Sequence, residues 1–259
     1  MGTLFGSFYT LAVYRIPKRI DIVHTHSFCP NCGHKLGFFE LIPVLSYIFL
    51  GGKCKECKQN IRPRYLILEI LSGLAFVLIA YGLKLDAYNL SLNSVLRFAF
   101  IVLYLVATFI IAGIDKEYRK IEKSVLYYAV TISCSYIIYL CIMVETSIYR
   151  YVMYLITLVI LLGLDSVKQR KEAKESYLIE ILTLIVIMFI NTGLIVTCIS
   201  IAIVFLAIFI GRAFWYLRNK FNKFKKENIN MLQVYKFGYL FSITNTLIFI
   251  VNILFKIVE

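Results

Sequence analysis

Residues 95–114 read VLRFAFIVLYLVATFIIAGI, an almost wholly apolar run that stops at Asp115. Wound as a helix, a run of about 20 such residues matches the hydrocarbon thickness of a bilayer. Comparable runs lie at roughly 1–14, 64–83, 125–144, 149–164, 177–191, 194–217 and 234–255. Asn191-Thr192-Gly193 is a weak turn dividing a stretch too long for one crossing. The expected fold is therefore all-α, a polytopic membrane helix bundle of about eight spans.

Composition agrees with this reading. Of 259 residues, 60% are hydrophobic and 17% charged, and the mean hydropathy is +0.79, against about 25% charged residues in soluble domains. The 28 Lys and Arg outnumber the 15 Asp and Glu. In a soluble chain that excess would raise the question of nucleic acid. Here the cations crowd the first connection (Arg15 to Arg64) and those after the third, fifth and seventh spans, leaving the intervening connections nearly bare. That alternation is the positive-inside pattern. It predicts a multi-pass protein of the cell membrane with both termini outside and the basic loops in the cytoplasm; membrane lipids, not nucleic acid, are the implied partners. The 19 Tyr and 20 Phe suit lipid-facing and interfacial positions. Met1 leads directly into an apolar stretch without a basic n-region, so no cleavable signal peptide is expected. That first run is short for a span.

Within the first cytoplasmic connection, Cys29-Pro30-Asn31-Cys32 and Cys54-Lys55-Glu56-Cys57 form two CxxC knuckles with 21 residues between the inner cysteines. Two such knuckles can complete a tetrahedral S₄ zinc site, and a reducing cytoplasm argues against resting disulfides. The alternative is a set of free or redox-active thiols. His24, His26 and His34 are expected to be ordinary loop histidines, since four cysteines fill the shell. Cys134, Cys141 and Cys198 read as small residues inside spans. The expected organisation is 1–70, the first span plus a small zinc-binding loop, and 71–259, the helix bundle.

Asp115 and Asp165 close the third and fifth apolar runs at the same predicted membrane face. Ionisable groups at membrane depth are functional candidates, and two neighbouring carboxylates can share a proton, as in aspartic proteases. A charge at a helix end also simply marks the water boundary. No span carries a mid-membrane charge or a broken helix pair of the kind transporters use.

Taken together, these residues resemble the type IV prepilin peptidases, the A24 family of membrane aspartic proteases. Gly6-Ser7-Phe8 through Tyr14-Arg15-Ile16-Pro17 is similar to the family's GSFxNVxxYRxP opening, with Thr10 in place of Asn. The two knuckles, His34, Leu41-Ile42-Pro43, Ser46-Tyr47, Ile61, Arg64-Tyr65 and Glu69 follow its cysteine loop. Ile114-Asp115 and Ile121 resemble its first aspartate segment, with Glu122 and Lys123 where Pro and Asp are usual. Its second motif, GxGDxK, is matched at Asp165, with Leu162 and Leu164 at the glycine positions and Lys168 one place late. Glu180 is the other candidate for the second acid. The resemblance implies an aspartic endopeptidase, with catalytic Asp115 and Asp165 and a zinc held by Cys29, Cys32, Cys54 and Cys57. It would remove the basic leader from type IV prepilin-like precursors that carry an apolar helix. Many members also methylate the new N-terminus using S-adenosylmethionine. A catalytically silent paralogue, serving as a binding or assembly protein, is the alternative, and the altered second motif is what separates the two.

Overall fold

A peptide group in hydrocarbon has no water to bond, so long apolar runs satisfy their backbone internally as helices. The computed structural model describes residues 1–85, 91–143, 148–172, 177–219 and 236–255. Its helices fall on the predicted runs: α1 Gly2–Arg15, α3 Arg64–Gly82, α4 Leu92–Tyr118, α5 Lys123–Met143, α6 Ile148–Glu172, α7 Tyr177–Thr192, α8 Leu194–Asn219 and α9 Phe237–Phe255. A short helix, α2 (Leu45–Phe49), and a 3₁₀ turn, Phe38–Leu41, are additional. Five of the helices among the described residues (α3, α4, α5, α8 and α9) are long and apolar enough to cross a membrane, and shorter apolar helices lie at Tyr151–Val167 and Tyr177–Thr192.

The chain divides into two compact units, Met1–Leu90 and Ser91–Glu259. In the first, α1 and α3 pack along a seam of small residues. A Cβ added to Gly6 would lie 2.6 Å from the Glu69 Cα, and one added to Gly2 would lie 2.9 Å from the Gly73 Cα. Small residues let membrane helices approach this closely. Ser72 Oγ closes the seam by donating to the Gly2 carbonyl at 2.7 Å.

In the second unit α4 is the most enclosed helix, with α5 and α9 packed on it, while α7 contacts α5, α6, α8 and α9. Gly193, at φ +88°, supplies the predicted break between α7 and α8. Two predicted ends move. Helix α4 continues three residues past Asp115, to Tyr118, and α6 continues seven past Asp165, to Glu172. Both aspartates are therefore inside their helices. The end of an apolar run marks the end of the hydrocarbon, and a helix can continue into water beyond it.

A buried polar cluster joins four helices of this unit. Tyr104 OH donates to Asn245 Oδ1 at 2.9 Å, and Asn245 Nδ2 donates to Thr192 Oγ1 and Ser200 Oγ, each at 3.3 Å. Asn245→Ala should therefore lower the stability of the purified protein by about 1–2 kcal/mol, the scale of interhelical hydrogen bonds in membranes. Reversible unfolding in mixed micelles measures this, and an unchanged midpoint would remove the cluster from the account of stability.

Candidate metal centre and buried carboxylates

Each CxxC knuckle is a tight backbone loop. In the first, Cys29 N–H bonds the His34 carbonyl at 2.8 Å and Gly33 N–H bonds the Cys29 carbonyl at 2.9 Å. In the second, Cys54 N–H bonds the Gln59 carbonyl at 2.9 Å and Lys58 N–H bonds the Cys54 carbonyl at 3.1 Å. The residue after each second cysteine is left-handed, Gly33 at φ +75° and Lys58 at φ +57°. The repeated geometry turns both pairs of sulfurs toward a common point.

All four Sγ atoms lie within 4.8 Å of one another, with Cys29–Cys57 at 3.9 Å and Cys32–Cys54 at 4.0 Å. Tetrahedral zinc with bonds of about 2.3 Å needs sulfurs about 3.8 Å apart, so the donor set fits. Electrostatics divide the thiols. The Gln59 backbone amide, joined by the Asn31 side-chain amide at 3.6 Å from the sulfur, holds Cys57 down at about 6. The His34 backbone amide acts to lower Cys32, but burial and its three thiol neighbours outweigh it and push Cys32 up to about 11. The histidines bond elsewhere: His34 Nε2 to Glu40 at 3.1 Å and His24 Nδ1 to Asp21 at 2.8 Å.

Two further residues shape the loop, and their roles were not visible in the sequence. Arg15, buried at the end of α1, donates to the carbonyls of Asp21 (3.0 Å), Thr25 (2.8 Å) and His26 (3.0 Å). Glu69 of α3 accepts the Val44 N–H at 2.7 Å. The first lay within the YRxP string and the second near the end of the cysteine-loop pattern, but nothing local reveals which carbonyl or amide each would meet.

The carboxylates of the second unit have different partners. Asp115 is fully buried on α4. Its Oδ1 accepts from Tyr177 OH at 2.8 Å, and its Oδ2 accepts from Tyr239 N–H, also at 2.8 Å. Tyr239 is in the first turn of α9, whose free amides and dipole favour an anion. A Cβ on Gly238 would stand 3.2 Å from the same oxygen, so glycine admits the carboxylate. Asp165, 7% exposed, is ion-paired with Lys123 at 2.7 Å, linking α6 to the start of α5. Glu180 is buried one turn beyond Tyr177 on α7, within electrostatic reach of both Tyr177 and Lys123. Among the described residues no hydrogen bond joins Asp115 to Asp165. Leu164 is half-exposed and a Cβ on Gly163 would meet nothing within 4 Å, so neither marks a tight helix contact. The Lys168 side chain lies outside the described residues.

A membrane helix bundle with a four-thiol loop between its first two long apolar runs is thereby defined. Residues 1–83 match the family model of the bacterial Peptidase A24 N-terminal domain. Curated relatives carry the name prepilin leader peptidase/N-methyltransferase. That of Vibrio cholerae serotype O1 is 35% identical over 114 residues, covering 41% of this chain and 42% of the relative. That of Myxococcus xanthus is 41% identical over 76 residues, covering 29% and 23%, and that of Bacillus subtilis is 38% identical over 89 residues, covering 34% and 36%. In each, the match spans less than half of the relative's length. No solved structure matches the chain. The resemblance to the type IV prepilin peptidases is borne out.

Because Arg15 holds three carbonyls with one planar fork, lysine cannot replace it. Arg15→Lys should destabilise the loop by about 1.5–3 kcal/mol, the scale of hydrogen bonds to charged groups. Hydrogen exchange of amides 21–35 reads this directly, and unaltered protection would refute the clamp.

Proposed function

We propose that this chain is a prepilin-peptidase-type membrane aspartic endopeptidase. It would act on the cytoplasmic side on precursors with a basic leader and an apolar helix, with Asp115 and Asp165 as its acids. The observation that carries the reading is Asp115: fully buried, on a membrane helix, and held by two donors from separate helices, in a chain whose first 83 residues match the A24 N-terminal domain. Of two acids in different settings, one can take the proton of an attacking water while the other protonates the leaving amine. Tyr177 and the first turn of α9 hold Asp115, and Lys123 holds Asp165. The lysine and arginine alternation supports a cytoplasmic location for the cysteine loop and both acids.

Cys29, Cys32, Cys54 and Cys57 would hold one zinc ion, whose contribution is to fold the loop. Methylation of the new N-terminus with S-adenosylmethionine is proposed on the names of the relatives alone.

Membranes containing the protein should cleave a prepilin-like precursor. Asp115→Asn and Asp165→Asn should each abolish cleavage without loss of membrane insertion or metal. If Asp165→Asn still cleaves and Glu180→Gln does not, the second acid is Glu180. A wild type that cleaves no leader-bearing precursor would favour the silent paralogue.

Metal analysis should give about one zinc per chain, reduced by Cys→Ser at any of the four positions. Since ligands bind as thiolates, protons compete with the metal for the sulfurs, and zinc retention should weaken as pH falls. Gently purified wild type without metal would count against the site.

A further inference from the structure

Between the two knuckles the chain carries an apolar surface that neither the metal centre nor the acids use. Phe38, Phe39, Leu41, Leu45, Ile48 and Phe49 are all exposed, Phe39 at 81% and Phe49 at 83%. They come from the 3₁₀ turn Phe38–Leu41 and from α2, which pack against each other, and the rings of Phe38 and Phe39 meet edge to face at 5.7 Å. In water so dense a patch would be an aggregation liability.

Its placement indicates what covers it. The backbone of Val44, between the two elements, is fastened to Glu69 at 2.7 Å. Val44 is the centre of a γ-turn, at φ +65° and ψ −53°, closed by the Leu45 N–H on the Pro43 carbonyl at 2.7 Å, a strained conformation that persists only where its surroundings impose it. Glu69 lies five residues into α3, about 7–8 Å along its axis. Helix α3 has 19 residues and is about 28 Å long, so it needs nearly its whole length to span a hydrocarbon layer of about 30 Å. A segment tied at the level of Glu69 is therefore held below the rim of the bilayer. The exposed flank of α3 begins at that depth with Ile67, Leu68 and Ile70, so the lipid-facing surface continues from one element to the other. Residues 16–63 also carry seven Lys and Arg against three Asp and Glu, a balance suited to phosphate headgroups.

We propose that Phe38–Phe49 is an interfacial element, lying in the bilayer with these six side chains at the boundary between headgroups and acyl chains. Interfacial helices bury their apolar face about 5–10 Å into that boundary, the depth at which Glu69 fixes Val44. The cysteine loop is then seated on the membrane at three places: the end of α1, the start of α3 and this hairpin between the knuckles. The proposal does not depend on proteolytic activity.

The chain has one tryptophan, Trp215, so a depth measurement is direct. In a Trp215→Phe background, Phe39→Trp, Phe49→Trp and Gln59→Trp are each reconstituted as the full chain in phosphatidylcholine vesicles containing phosphatidylglycerol. Far-UV circular dichroism and metal content establish that each variant is folded. Phe39→Trp and Phe49→Trp should emit blue-shifted fluorescence, lose most of it to lipids brominated near the headgroup end of the acyl chains, and resist acrylamide. Gln59→Trp should show the reverse. Red emission with acrylamide quenching at both apolar positions would overturn the proposal, leaving the patch in water. Shielding of both from bromine as well as acrylamide would also overturn it, in favour of a protein partner.

Discussion

A buried polar group in a bilayer must find its partner within the protein, because lipid offers none. That constraint makes the long apolar runs helical, and it also governs most of the polar side chains placed among them. Thr108, Ser133, Ser200 and Thr246 return their hydroxyls to carbonyls one turn back in their own helices. Asn245 bonds other helices instead and links α4, α7 and α8 to α9. The helices of the second unit are thus held by these hydrogen bonds together with close side-chain packing, the two attractions available between helices in lipid.

The two aspartates meet the same demand in opposite ways. Asp165 is ion-paired with Lys123, while Asp115 accepts from a phenol and from an amide at a helix N-terminus, with the Lys236 charge acting from farther off. Different settings are what two carboxyl groups require if they are to take different roles toward one water. Glu180 stands near both settings, one helical turn from Tyr177 and within the field of Lys123. It lies on the buried face of α7.

Much of this was legible in the chain. Apolar run length located the helices, Gly193 located the break between α7 and α8, and the knuckle spacing located a cluster that brings four sulfurs together. Most of what escaped had one cause, distance along the chain. The partners of Asp115 lie 62 and 124 residues away, and in a sequence with 19 tyrosines nothing distinguished Tyr177. Lys123 read as one more cation in a basic connection, and its pairing with Asp165 across 42 residues had no local signal. Helix α2 was hidden because five residues are too few to show a period.

The first unit shows the constraint acting across the boundary between membrane and loop. Arg15 ends α1 and Glu69 lies in the membrane-length α3, yet both are paired with loop backbone, the arginine with carbonyls 21, 25 and 26, the glutamate with the amide of residue 44. Without the folded loop Arg15 would lose all three carbonyls, and Glu69 would lose the Val44 amide and keep only Ser7 of α1. Without the close helix pair, which Gly6 permits by letting α1 pass the Glu69 backbone, the two anchors would not be held to their positions. Helix seam, anchors and knuckles are therefore one mutually dependent structure.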